Sequence, residues 1–313
     1  MKTALIVLLI IIIIYILLSY ILFLLVSRKM PIVSKILDKK AGIEIDKYKD
    51  KIIDNLEWIN NIEYKDIYIR NRANLLLHGI YIDNPKSKKI LVLLHGYRST
   101  PNRDVYPSAK DYYDLNYSIL IIDQRACGNS QGKYITFGYK EKKDVVVWLK
   151  YLNKHYNKPI VLAGISMGAT TALLVPELYN KNIIAIYTDS GYISGYEEVK
   201  YTLKHYFYMP SSLFMPTINL FCKIFAKYNL KDINTLKSLK NIRIPILFAH
   251  GDIDDFVPMK NSLLNYKKYQ GPKKLLIIKN ANHGMGYLVD KEKYLNVVKE
   301  MDKEIDKIVK NSL

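Results

Sequence analysis

Apolar positions along this chain fall into three kinds of run, and each predicts a different element. The first is continuous. Ala4 to Val26 is uncharged and almost wholly aliphatic, and as a helix it would reach about 34 Å, enough to cross a hydrocarbon core of about 30 Å. The second kind is short and β-like. Ile62 to Ile69 and Leu75 to Ile82, separated by the turn Arg70-Asn71-Arg72-Ala73-Asn74, predict two opening antiparallel strands. Ile90 to Leu94, Ser118 to Ile122, the run from Ile160, Ile183 to Thr188, Pro245 to Ala249 and Lys274 to Ile278 are the compact apolar stretches of strands buried on both faces. The third kind has helical periodicity: Arg103 to Leu115, Lys140 to His155, Lys260 to Lys268 and Lys291 to Val309. About eight strands alternating with helices after the first two predict an α/β fold, a mostly parallel sheet covered on both faces.

Two stretches lie outside that alternation. Residues 30–61 are amphipathic and charged, with Ile43, Ile45, Ile52, Ile53, Leu56 and Ile59 as the apolar positions. They predict a helical connector packed loosely on the domain or lying near a membrane. Residues from about 191 to 240 are rich in Tyr, Phe, Leu and Met, and a structureless loop of that length would be unusual. They predict a cap of two or three helices over the C-terminal edge of the sheet, where such insertions line pockets. The predicted organisation is a membrane anchor over residues 1–29, the connector over 30–61 and one α/β domain over 62–313.

The chain has 313 residues and a net charge of +18, from 47 Lys and Arg against 29 Asp and Glu. The lysines are scattered, and neither an arginine-rich run nor a nucleic-acid motif accompanies them, so we read the charge as compositional bias and expect no nucleic-acid partner. The 27 tyrosines are read in the same way, as packing and surface residues. Cys127 and Cys222 stand far apart without metal-ligand spacing and are expected to be small buried residues. No cofactor or metal is implied.

A cleaved signal peptide competes with the anchor, but Leu24-Leu25-Val26-Ser27-Arg28-Lys29 offers no small-residue cleavage site. We read an uncleaved single-pass anchor. Arg28, Lys29, Lys35, Lys39 and Lys40 follow the span while only Lys2 and the amino terminus precede it. That tilts the following domain toward the cytoplasm. A lysine-rich chain puts positive charge after any segment, so the side of the membrane stays open.

The chemistry centres on Gly164-Ile165-Ser166-Met167-Gly168, where a β-like run enters a tight turn and then small, helix-compatible residues. This is the strand, turn and helix of a nucleophile elbow, with Ser166 exposed at the top of the sheet. A serine hydroxyl needs a base to take its proton and a third group to orient that base. In this fold the chain order is serine, acid, histidine. The strand ending at Ala249 delivers His250-Gly251-Asp252-Ile253-Asp254-Asp255 to the same edge, and the last strand delivers Asn282-His283-Gly284. His283 is the candidate base, because it follows the final strand in a turn-rich loop. His78, His155 and His205 sit in a strand, at a helix end and in the cap, and are read as structural. Asp252, Asp254 and Asp255 compete for the acid, and position alone does not separate neighbours on one loop. The amide of Met167, the residue after the nucleophile, is one oxyanion donor.

Five segments in order resemble a bacterial α/β-hydrolase of the serine aminopeptidase S33-like, S9-related group: His95-Gly96; Asp123-x-Arg125-x-x-Gly128-x-Ser130; Gly164 to Gly168; His250-Gly251-x-x-Asp254-x-x-Val257-Pro258; and His283. The resemblance covers about residues 62–311. It implies Asp254 as the acid, with Asp252 capping the loop and Asp255 an additional carboxylate. It implies the Tyr97 amide as the second oxyanion donor. His95 is expected to brace its loop, Asp123 and Arg125 to form a structural ion pair, and Asp189-Ser190 to border the pocket. The expected activity is hydrolysis of an ester or thioester with an apolar, lipid-like acyl part. A peptidase or an acyltransferase on the same three residues, and a non-catalytic binding module, are the alternatives. Oligomeric state is not expressed in the sequence.

Overall fold

The computed structural model describes residues 1–40 and 42–310. Eight strands form one sheet: β1 (Lys65–Arg70), β2 (Leu76–Ile82), β3 (Lys89–Leu94), β4 (Tyr117–Ile122), β5 (Ile160–Ile165), β6 (Ile183–Asp189), β7 (Ile246–Gly251) and β8 (Lys273–Ile278). Their order is β1-β2-β4-β3-β5-β6-β7-β8. The β1–β2 and β2–β4 pairings are antiparallel, and every later pairing is parallel. This is the mostly parallel sheet that the strand pattern predicts, in the α/β-hydrolase fold that the resemblance implies.

The helices are α1 (Lys2–Ser27), α2 (Pro31–Lys40), α3 (Lys49–Asn61), α4 (Pro101–Asp104), α5 (Tyr106–Asp114), α6 (Glu141–His155), α7 (Met167–Leu174), α8 (Gly195–His205), α9 (Ser211–Phe225), α10 (Thr235–Ser238), α11 (Lys260–Lys268), α12 (Gly286–Val289) and α13 (Lys291–Lys310). The stretch expected as one helix over 103–115 is two short helices. Pro107 occupies the first turn of α5; lacking an N–H, proline suits a helix start and cannot continue a helix arriving from α4.

Alternation along the central strands divides the core between two faces. Leu91, Leu93, Ile119, Ile121, Val161 and Ala163 face one side, where residues of α3, α5 and α13 cover them. Ile90, Val92, Leu94, Leu120, Ile122 and Leu162 face the other, against Trp148 and Leu149 of α6 and Leu173 of α7. A third apolar cluster lies above the C-terminal edge, where Met167 meets Tyr192, Phe214, Met215 and Ile218 of the cap region and Phe23 of α1. The cap, between β6 and β7, is built mainly from α8 and α9.

The connector is not loosely attached. Ile52 and Ile59 of α3 are buried in the main core, and the Asn55 amide donates to Pro107 O at 2.5 Å and to Asp111 Oδ2 at 2.8 Å. The polar and charged residues between those apolar positions obscured how much of α3 the domain covers. α1 is long and apolar enough to cross a membrane.

Candidate active site

Ser166 leaves β5 with φ 55° and ψ −117°, a conformation that costs an L-residue about 1–3 kcal/mol. Its amide donates to Asp189 O at 2.8 Å and its carbonyl accepts from Thr170 N at 3.0 Å, so the strained residue is held at both sides. Two glycines make the turn possible. A Cβ on Gly164 would lie closer than 3.0 Å to the Gly168 backbone, and one on Gly168 equally close to the carbonyls of Leu94 and His95.

β7 carries Asp254 to the same edge. Its Oδ1 accepts from Val257 N at 2.9 Å and Phe256 N at 3.1 Å. Its Oδ2 lies 2.8 Å from His283 Nδ1 and 3.1 Å from His250 Nε2. Burial alone would raise this carboxyl, but the His283 charge and the hydrogen bonds from both imidazoles hold it well below the usual carboxylate range. His283 responds in the opposite sense. Burial would lower it, and the Asp254 charge and hydrogen bond outweigh that and raise it. The neighbouring carboxylates are engaged elsewhere: Asp252 Oδ1 accepts from Asn280 N at 2.6 Å, and Asp255 Oδ1 accepts from the cap residue Tyr206 at 3.0 Å.

Ser166 and His283 line one cavity together with Gly96, Tyr97 and Phe256. The loop after β3 passes directly beside the serine, since a Cβ on Gly96 would stand 3.4 Å from Ser166 Cβ. Neither Tyr97 N nor Met167 N donates to a protein acceptor among the described residues; Tyr97 lines the cavity, and Met167 opens the helix after Ser166. His95 is buried beneath this loop, with Nδ1 2.9 Å from Gly96 O and Nε2 3.0 Å from Gln124 N. Burial pushes it below its ordinary range. A neutral ring donating from Nδ1 and accepting at Nε2 satisfies both contacts, which makes His95 a brace.

Asp123 and Arg125 do not pair with each other. Arg125 makes a two-pronged contact with Asp144 of α6, Nε to Oδ2 and Nη2 to Oδ1, both at 2.7 Å. Asp123 Oδ2 instead contacts His78 Nδ1 at 2.7 Å and accepts from Asn129 N at 2.8 Å. Side chains two apart on this tight turn diverge, which the motif does not express. Asp189 lines the cavity wall, and the Ser190 hydroxyl donates to it at 3.0 Å. Cys127 and Cys222 are buried and free. His155 and His205 lie outside the cavity lining.

Several partners within the site carry no sequence signal of their own. His250, four residues before Asp254, is fixed by Ser262 Oγ at 2.7 Å; the spacing was visible in the chain, its partner was not. Asp104 Oδ2 accepts from Gly96 N at 2.6 Å, and Arg103 bridges Asp104 to Asp38 of α2 at 2.8 and 2.6 Å. Thus α2 reaches the cavity, with Ser34, Leu37 and Asp38 in its wall. Much of the remaining wall is apolar or aromatic, including Leu93, Tyr112, Ala163, Tyr187 and Leu288. Glu198 of α8 is buried near His283 and Asp254, its Oε1 has no protein partner, and burial pushes it up to about 8.

Residues 89–209 match the family described as alpha/beta hydrolase fold. The chain is 29% identical over 272 residues to the uncharacterized protein YqkD of Bacillus subtilis, covering 84% of this chain and 88% of that one. It is 25% identical over 211 residues to the uncharacterized protein R595 of Acanthamoeba polyphaga mimivirus, covering 65% and 68%. Among solved structures, the Pyrococcus furiosus esterase Pf2001 is similar at 28% identity and a TM-score of 0.64, covering 78% of this chain and 91% of the esterase. The alpha/beta hydrolase domain-containing protein 10 from mouse shares the fold at 18% identity and a TM-score of 0.57, covering 78% and 99%.

Proposed function

We propose that this chain, a member of the α/β-hydrolase superfamily, is a membrane-anchored serine hydrolase that cleaves carboxylic esters or thioesters with an apolar acyl part. The observation that carries the reading is the 2.8 Å contact between a buried Asp254 and His283, which lines one cavity with the strained Ser166. In the proposed reaction His283 Nε2 takes the Ser166 proton as Oγ adds to the substrate carbonyl carbon. Asp254 holds the imidazole by Nδ1 and stabilises the imidazolium. The amides of Tyr97 and Met167 donate to the oxyanion. The tetrahedral intermediate then expels the alcohol or thiol, which receives the proton from His283, leaving an acyl ester on Ser166. Water, deprotonated by His283, releases the acid.

The apolar wall around Leu93, Ala163 and Leu288 suits an acyl chain, and the similarity to an esterase points the same way. The length and apolarity of α1 support the anchor. Labelling with a fluorophosphonate probe tests the nucleophile: the wild-type chain reacts and Ser166→Ala does not. Absence of labelling in a folded wild-type protein overturns the enzymatic reading. A series of p-nitrophenyl esters set against aminoacyl anilides tests the substrate class, and turnover confined to the anilides assigns a peptidase. An acyltransferase is revealed by product partitioning toward an added alcohol over water.

A further inference from the structure

The apolar surface of α1 does not end where the domain begins. From Met1 to Ile14 every residue is exposed, and from Tyr15 onward α1 packs on the cap helix α9. Tyr15 stacks on Phe214 at 5.5 Å between centroids, and its hydroxyl donates to Leu213 O at 2.9 Å and lies 2.6 Å from Thr217 Oγ1. Farther along, Tyr20 meets Phe221 and Phe225 at 5.6 and 5.4 Å, and Phe23 meets the same two rings at 6.1 and 5.8 Å. The contacts advance together, so α1 and α9 run side by side in the same direction.

This arrangement conflicts with an anchor that crosses the bilayer on its own. The free part, Ala4 to Ile14, is about 16 Å long, roughly half of a hydrocarbon core of about 30 Å. The rest of the span is shared with α9, while α1's other side still exposes Ile16, Leu17, Leu18 and Ile21 at that level. α9 has the matching surface. Its inner face, Phe214, Met215, Ile218 and Cys222, is buried in the cap, yet its outer face is also apolar: Leu213, Leu220 and Ile224 are 55, 50 and 46% exposed, with Pro216 between them. α9 contains no acidic residue, and its single charge, Lys223, lies near the end that meets Phe23. The polar positions Ser212, Asn219 and Lys223 form a narrow strip between two apolar faces; one of those faces fills the cap, and the other, Leu213, Pro216, Leu220 and Ile224, is not in the core.

We propose that α9 is a second membrane-seated helix, its face of Leu213, Pro216, Leu220 and Ile224 immersed beside α1 in the acyl-chain region of the leaflet nearer the hydrolase domain. This rests on the anchor reading of α1, and it makes the cap part of the membrane footprint. Cationic Lys223 carries its charge outward on a flexible stem to the headgroups. The active-site cap is thereby held at the depth of lipid acyl groups, which deepens the proposed substrate class to esters resident in the bilayer.

The test uses the full chain in vesicles of phosphatidylcholine and phosphatidylglycerol. Leu220→Cys and Ile224→Cys are labelled with an environment-sensitive fluorophore and challenged with doxyl-bearing acyl chains or with aqueous iodide. Ile10→Cys on α1 reports on the anchor, Lys154→Cys on the exposed end of α6 reports water, and unmutated protein with its two buried cysteines is the blank. The expected result is quenching of positions 220 and 224 by the lipid quencher at least threefold above position 154, with protection from iodide. Quenching by iodide to the extent seen at 154 overturns the proposal. Protection from both quenchers also overturns it, because a protein then covers the face. If position 10 is itself open to iodide, the anchor reading and this one fall together. None of these readouts depends on Ser166 chemistry, so the hydrolase reading is judged separately by probe labelling.

Discussion

At the scale of single residues, Asp254 is defined by its surroundings more than by its place in the chain. Three carboxylates lie within four positions, and only Asp254 turns toward His283, because two backbone amides and His250 fix its orientation. The raised His283 must be neutral to act as a base. The acid limb of kcat/KM is therefore expected above the ordinary imidazole range of about 6.5. Asp254→Asn should move that limb downward and reduce kcat by about four orders of magnitude, whereas Asp252→Asn and Asp255→Asn leave the limb in place; a pH–rate profile on a soluble ester reads both. Glu198 offers a stability test. Its folded-state value near 8 lies above the unfolded one, so the protonated acid is favoured in the fold. The stability associated with that proton is complete below about pH 4.5 and is lost progressively as pH rises through 8. Glu198→Gln, which cannot ionise, should match the wild type in acid and gain Tm relative to it as the pH approaches and passes 8. Thermal melts across that window that remain parallel would refute this.

At the scale of elements, the elbow depends on three backbones meeting without side chains between them. Gly168 faces the carbonyls of Leu94 and His95 at the end of β3. Gly168→Ala must push α7 away from the loop bearing the Tyr97 amide, and overpacking of this kind costs about 1–3 kcal/mol. Melting should register that loss, with a larger proportional fall in kcat than in probe binding. Asp104 is the other element-level support. It ties Gly96 N to Arg103 and, through Arg103, to α2. Removing it by Asp104→Ala is expected to lower kcat about tenfold while KM changes little, since it holds the loop at Gly96, and the next amide, that of Tyr97, is the proposed donor to charge that develops only in the transition state. Steady-state kinetics on one soluble ester suffices to check this.

At the scale of the whole molecule, the apolar N-terminal helix and the candidate active site are mechanically joined. The Tyr97 hydroxyl donates to Val26 O, the Arg98 guanidinium to Leu25 O, and Ile135 N to Ser27 O at 2.7 Å. Each such bond is worth about 1 kcal/mol net. Deleting residues 1–27 should therefore do more than remove the proposed anchor. It should lower kcat/KM on a water-soluble ester about five- to tenfold relative to the full chain in detergent. An unchanged value would mean that the anchor acts only as a tether.

The fold was legible in the chain because strand burial and helical amphipathicity are local patterns: the runs at Ile90, Ser118 and Ile160 each announce a strand whatever lies around them. The candidate site was legible as an order of motifs, Gly164 to Gly168, then the loop of Asp252, Asp254 and Asp255, then His283, since their positions at strand ends follow from that pattern, while only the family resemblance singled out Asp254. Contacts that depend on where distant segments meet were not. The chain contains Arg125, Asp144, Asp104, Asp38, His250 and Ser262, but nothing local joins Arg125 to Asp144 or Asp38 to Arg103. The sequence by itself determined the mostly parallel α/β sheet, the apolar helix at the start and the chain order of the candidate serine, the acidic loop and the candidate histidine. Tertiary structure alone decided that α2 forms part of the cavity wall and α3 part of the core, and that α9 lies along α1. Those outcomes arise from side chains far apart in the chain, and a residue's partner across such a distance is set by packing.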